Sequence, residues 1–148
     1  MSLFRCSDET PLGRVMVGPR PNGIAYDPGR RRLFVFCIGD PPGANPTVSV
    51  VEVDGPRVAA ALPLAGRPRW ALYDHVSDRV YANVEVPPLI AVIDPAQPRV
   101  VGALAVPAAG PHGLALTRDR LYCAADAGAR ALYVFCPRSG GVAVYADR

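Results

Sequence analysis

Three residues of different chemistry occupy one place in a recurring phrase. The phrase reads GPRPNGIAYD from Gly18, GRPRWALYD from Gly66 and AGPHGLALT from Ala109. The residue directly after its anchoring proline is Asn22, Arg69 and His112 in turn. Where the first and third copies continue with Gly23 and Gly113, the second carries Trp70. An amide, a cation, an imidazole and an indole gathered at one point would suit a small anionic or aromatic ligand. The plainer reading is a set of variable loop residues, with Trp70 packed over a neighbouring repeat. His112 could also serve as a metal ligand or general base. The other histidine, His75, sits in YDHVSD, a later turn and so a different part of its repeat. Metal hydrolysis needs clustered His or Asp/Glu, and no such cluster is legible, so no metal ligand and no catalytic residue is assigned.

The remaining chemistry-bearing residues read as turn residues. Asp27 and Asp74 occupy equivalent turns, and Thr117 replaces them in the third copy. Asp and Thr side chains at such places bond backbone N–H groups two residues on. Asp94 in VIDP and Glu52 in VVEV align with Cys136, which argues against a carboxylate pair spread over the repeats. The serines show no repeat-specific partnership with His or Asp, and there is no G-x-S-x-G. PRSGGVAV has glycines but no strand-to-helix context, so a nucleotide fingerprint is absent and no cofactor is expected.

These residues are carried by a regular framework. VVEVDGPRV from Val50, VIDPAQPRV from Val92 and VFCPRSGGV from Val134 recur at a 42-residue period. Each period holds four short runs, such as IAYD, RLFVFC, TVSVVEV and RVAAALPL in the first. They are rich in Val, Ile, Leu, Tyr and Phe and are broken by Pro or Gly every few residues, which favours strands over helices. The sequence therefore predicts an all-β chain of three four-stranded antiparallel repeats of about 42–47 residues. An insertion, GDPPGANPT (Gly39 to Thr47), stretches the first repeat between its second and third strands. It is either a tolerated surface loop or part of a binding face.

The pattern Pro-x-Gly-apolar-Ala, then an Arg/Leu-aromatic strand, then VSVVEVD or AVIDP, resembles the YVTN-type β-propeller repeat. RVYANVEVPPLIAVIDPAQPRVVGALAVP (Arg79 to Pro107) carries the likeness most fully, which extends over residues 13 to 145. The resemblance implies propeller blades at 19–64, 65–107 and 108–148, preceded by an outer strand at 13–18 and a tail at 1–12. It also implies that Asn22, Arg69, Trp70 and His112 lie near a central channel. Closed propellers use about 4–8 blades, so three blades form a partial propeller or half of a closed ring. An open array would leave two apolar faces, to be covered by self-association or by a partner that completes the ring. Members of this family include binding proteins, surface-layer proteins and lactonase-like or dehydrogenase-associated propellers. The expected function is a non-enzymatic module that recognises a small molecule, peptide or protein at the channel and loop face. The alternative is part of a lactonase-like or dehydrogenase-associated enzyme.

Composition narrows the classes further. Half of the 148 residues are hydrophobic and 20% are charged, which disfavours disorder. The sixteen basic residues are all Arg, so lysine Schiff-base chemistry is excluded within these residues. That Lys-free, Ala/Arg/Pro/Gly-rich usage matches a high-GC coding bias. A net charge of +3 is too mild to imply nucleic acid, and GRRRLF (Gly29 to Phe34) reads as a solvated turn. No apolar stretch reaches the roughly 18 residues of a membrane span. MSLFRCSDET lacks the apolar core of a signal peptide, which predicts a cytoplasmic protein, or an exported or cell-surface one if the chain is a fragment. Cys6, Cys37, Cys123 and Cys136 form no C-x-x-C pair, and buried free thiols account for them best.

Overall fold

The computed structural model describes residues 1–125, 131–136 and 141–146. A short hairpin comes first, with β1 (Ser2–Phe4) paired to β2 (Pro11–Arg14). Three antiparallel four-stranded meanders follow in chain order. The first blade is β3 (Pro21–Asp27), β4 (Arg32–Cys37), β5 (Thr47–Glu52) and β6 (Arg57–Pro63). The second is β7 (Pro68–Asp74), β8 (Arg79–Val84), β9 (Leu89–Asp94) and β10 (Arg99–Ala105). The third is β11 (Gly113–Leu116), β12 (Leu121–Ala125), β13 (Ala131–Cys136) and β14 (Gly141–Ala146). Among the described residues no helix is long and apolar enough to cross a membrane.

The middle strands of the first two blades read as unbroken apolar runs because both faces of those sheets are dry there. Phe34, Phe36, Val48 and Val50 of the first blade face Ala71, Val80, Ala82 and Ile93 of the second. Tyr81 and Ile90 of the second blade face Leu121, Cys123 and Ala125 of the third. The alternate residues of the first blade, Leu33, Val35, Cys37 and Val51, point the other way, onto Met1, Leu3, Val15 and Val17. This corrects the expectation of two open apolar faces: the N-terminal hairpin covers one of them. It also shifts the first paired strand, expected at Gly13–Gly18, to Pro11–Arg14. Residues 2–4 of the expected tail are its partner strand.

The turns follow side-chain chemistry. Asp27 Oδ1 accepts the N–H groups of Gly29 (3.0 Å) and Arg30 (3.1 Å), and Asp74 Oδ1 accepts that of Val76 (2.9 Å). Asp94 Oδ1 accepts that of Ala96 (2.9 Å), while the Thr117 hydroxyl turns instead to Asp119 (3.3 Å). The basic run is absorbed by ion pairs. Arg30 donates to the buried Asp27 (2.9 Å) and, through both terminal nitrogens, to Asp78 of the second blade (2.8 and 2.7 Å). Tyr73 donates to the same Asp78 carboxylate (3.0 Å). Arg31 pairs with Asp54 and Arg32 with Glu52. Arg30 therefore ties the first blade to the second at their turn ends. A different tie joins the second and third blades: fully buried Asn83 donates to the Gly113 carbonyl (3.1 Å) and accepts from the Cys123 thiol (3.4 Å). Burial pushes that thiol up to about 11, while Cys6 is exposed. Cys136 lies where only the backbone is described.

Two outcomes are expected. Arg30→Ala leaves the buried Asp27 without its guanidinium and should cost about 1–3 kcal/mol in urea unfolding. Asp78 is held below the usual carboxylate range chiefly by Arg30. Its contribution is complete above an ordinary aspartate pKa of about 4 and fades as pH falls through its lower folded value, and Asp78→Asn should remove that acid-sensitive component. Separately, peptide-mapped alkylation should modify Cys6 in the native protein, whereas Cys37 and Cys123 should react only on unfolding.

Candidate functional site

The inner strands β3, β7 and β11 begin at the same end of their blades, and β3 runs against β7. The phrase Pro-x-Gly has a packing reason there. A Cβ at Gly23 would stand 2.6 Å from the Arg69 carbonyl oxygen, so only glycine lets the two strands approach. Asn22 reinforces the contact by donating its Nδ2 to the Pro68 carbonyl at 3.1 Å. The second blade breaks the pattern at this place. Trp70 stands at the position of Gly23 and is 57% exposed.

Arg69, the residue before Trp70, belongs to an uneven ion cluster. Arg69 reaches both carboxylate oxygens of Glu85 at 2.9 Å, and Arg67 approaches the same carboxylate at 3.4 Å. Arg69 holds the Glu85 carboxyl below its usual range, with Arg67 and His112 adding to the effect. The Arg67 Nε is buried and meets no acceptor. Two guanidiniums thus share one carboxylate, which leaves an excess positive charge in a partly desolvated setting. The loop that presents Glu85 is laid tightly on the link before β7, since a Cβ at Gly66 would run into the Val86 carbonyl oxygen. Beside the cluster lies a cleft of about 460 Å³ lined by Glu85, Val86, Pro88, Ala109 and Gly110.

Of the four residues singled out by sequence, the structure brings Arg69 onto Glu85 and His112 within electrostatic reach of it, while Trp70 is exposed on the same strand as Arg69. Asn22 lies one strand away and uses its amide N–H to tie inner strands together. Glu85 carried no repeat signal, since the first blade has Ile38 there, whereas Arg67 repeats Arg20 in the residue before the anchoring proline. His75 lines a second cleft, of about 590 Å³, at the opposite end, with Tyr73, Asp74, Thr117 and Arg118. Among the described residues no three His, Cys, Asp or Glu side chains are grouped to hold a metal ion. The cluster is suited to gripping an anion flanked by aromatic or apolar surface.

No protein-family model and no curated protein matches this chain. Solved structures do. Kuenenia stuttgartiensis hydrazine synthase matches over 98% of this chain and 43% of its own, with 18% identity and a TM-score of 0.83. U3-55K matches over 98% and 45%, with 10% identity and a TM-score of 0.79. The dihydro-heme d1 dehydrogenase NirN matches over 96% and 32%, with 12% identity and a TM-score of 0.76. The chain spans less than half the length of each. All three are β-propellers, and at these identities the likeness carries the fold alone: the three sheets are blades of a partial β-propeller.

Proposed function

We propose that this chain is a binding module, a propeller segment that recognises a small molecule, peptide or protein bearing an anionic group next to aromatic or apolar surface. The observation that carries this reading is the excess charge of Arg67 and Arg69 over Glu85, with the exposed Trp70 next to Arg69 in the chain. An incoming carboxylate would take the place that Glu85 holds on Arg69, its apolar body would lie on Trp70, and the adjoining cleft would receive the rest. The likeness of the Pro-x-Gly phrases to YVTN-type repeats supports the same end of the blades as the recognition face. Further blades, from a second copy or another partner, would complete the ring around that face.

Trp70 is the single tryptophan of the chain and so reports on its own site. Titration with 1-naphthoate should give a saturable change in Trp70 emission, and uncharged 1-naphthamide a much weaker one. Arg69→Ala should weaken naphthoate binding roughly tenfold, the scale of one charge-assisted contact. Emission that stays linear in ligand, or binding unchanged by Arg69→Ala, would count against this reading.

A further inference from the structure

The two seams between blades are built differently at the turn that joins the first strand to the second. In the first two blades this turn runs over residues 27–32 and 74–79, with Asp27 paired to Arg32 and Asp74 to Arg79. In the third it runs over residues 117–120 and is two residues shorter. Leu116 pairs with Leu121 there as Tyr73 pairs with Val80, and the Thr117 N–H closes the turn on the Arg120 carbonyl at 2.9 Å. At the first seam the Arg30 guanidinium crosses from one turn to the next. At the second, Ser77 stands at the place of Arg30 and the facing turn stops short. The cleft of about 590 Å³ beside His75 opens here, with His75 and Val76 on one wall and Leu116 and Arg118 on the other.

The carboxylates of this seam are already engaged. Asp74 accepts the Val76 N–H at 2.9 Å, and the Ser77 hydroxyl and N–H at 2.6 and 3.3 Å. Asp119 accepts the Thr117 hydroxyl at 3.3 Å and lies 3.7 Å from the Arg120 guanidinium. Tyr73 gives its hydroxyl proton to Asp78. The other turn arginines also have oxygens of their own: Arg30 has Asp27 and Asp78, Arg31 has Asp54, Arg32 has Glu52, and Arg79 donates to the Asp78 carbonyl. Arg118 breaks this rule. Among the described residues, Arg118 and His75 have no partner, and they come from opposite blades to line one cleft. Beside them Val76 and Leu116 supply apolar wall, Val76 being 41% exposed.

We infer that this cleft is a second ligand site, for a small phosphate monoester carried on an aromatic or apolar body. The guanidinium of Arg118 offers two parallel N–H donors, and the imidazole of His75 offers a third from the facing wall. A carboxylate held by the guanidinium fork has both oxygens occupied. A phosphate monoester has three terminal oxygens, so one remains for the imidazole. Val76 and Leu116 flank the organic body, and the volume falls within the range of small-molecule sites. The site lies at the opposite end of β7 from Trp70 and does not rest on the reading given there.

The two histidines of the chain report on the two ends separately, His75 in this cleft and His112 near Glu85. Phenyl phosphate, titrated into the histidine-labelled 148-residue chain at constant pH, should shift the His75 imidazole NMR resonance saturably. The His112 resonance and Trp70 emission should stay unchanged. Benzoate and inorganic phosphate should each bind at least tenfold more weakly, the first lacking an oxygen for His75 and the second an apolar body. Arg118→Gln should weaken phenyl phosphate at least tenfold with the unliganded His75 resonance in place, and Arg118→Lys should recover only part of the loss. The inference is overturned by a His75 resonance that does not move, by equal affinity for benzoate or inorganic phosphate, or by equal binding to Arg118→Gln. It is also overturned if the shift appears at His112 and is removed by Arg69→Ala, because the phosphate would then sit at the other end.

Discussion

The middle strands of the first two blades are dry on both faces, and most of the structure follows from that. Val35 and Phe36 are adjacent on β4, point in opposite directions and are both fully buried. A four-stranded sheet built this way cannot be solvated on either side, so every blade requires a neighbour on each side. Asn83 enters such a junction bonded through both ends of its amide. The N-terminal hairpin belongs to the same scheme, since without it Leu33, Val35, Cys37 and Val51 would face water.

How far this could be read from the sequence depended on whether a segment kept the repeat's phase. Strands such as RLFVFC and LIAVID were legible because apolar runs bounded by turn residues recur at fixed spacing. The hairpin was not, for a definite reason. The Gly39–Thr47 insertion lies between it and the outer strand pair of the first blade, so the hairpin is in register with that pair at 47 residues and not at 42. SLFRCSDETPLGR also contains too few apolar residues to announce itself. Glu85 was invisible for a related reason: it has no counterpart in the first blade, and its importance comes from two arginines that the fold brings to it.

The Pro-x-Gly phrase shows how packing and recognition divide between repeats. In the first copy Asn22 and Gly23 serve the approach of neighbouring inner strands. In the second the same two positions, Arg69 and Trp70, carry a charge and an exposed ring. Repetition keeps the scaffold constant, so a substitution at a repeated position can acquire a task without moving the backbone that holds it.

The Arg30 tie gives the array a mechanical grain. At the turn ends of the first two blades a guanidinium spans Asp27 and Asp78, but at the next junction its position is taken by Ser77, which bonds to Asp74 and Tyr81 of its own blade. The first seam is cross-linked by charge at that end. The cluster around Glu85 lies by the second seam, where the inter-blade tie is the buried Asn83 amide. A ligand spanning Arg69 and the Ala109–Gly110 link would act as a strut between the second and third blades.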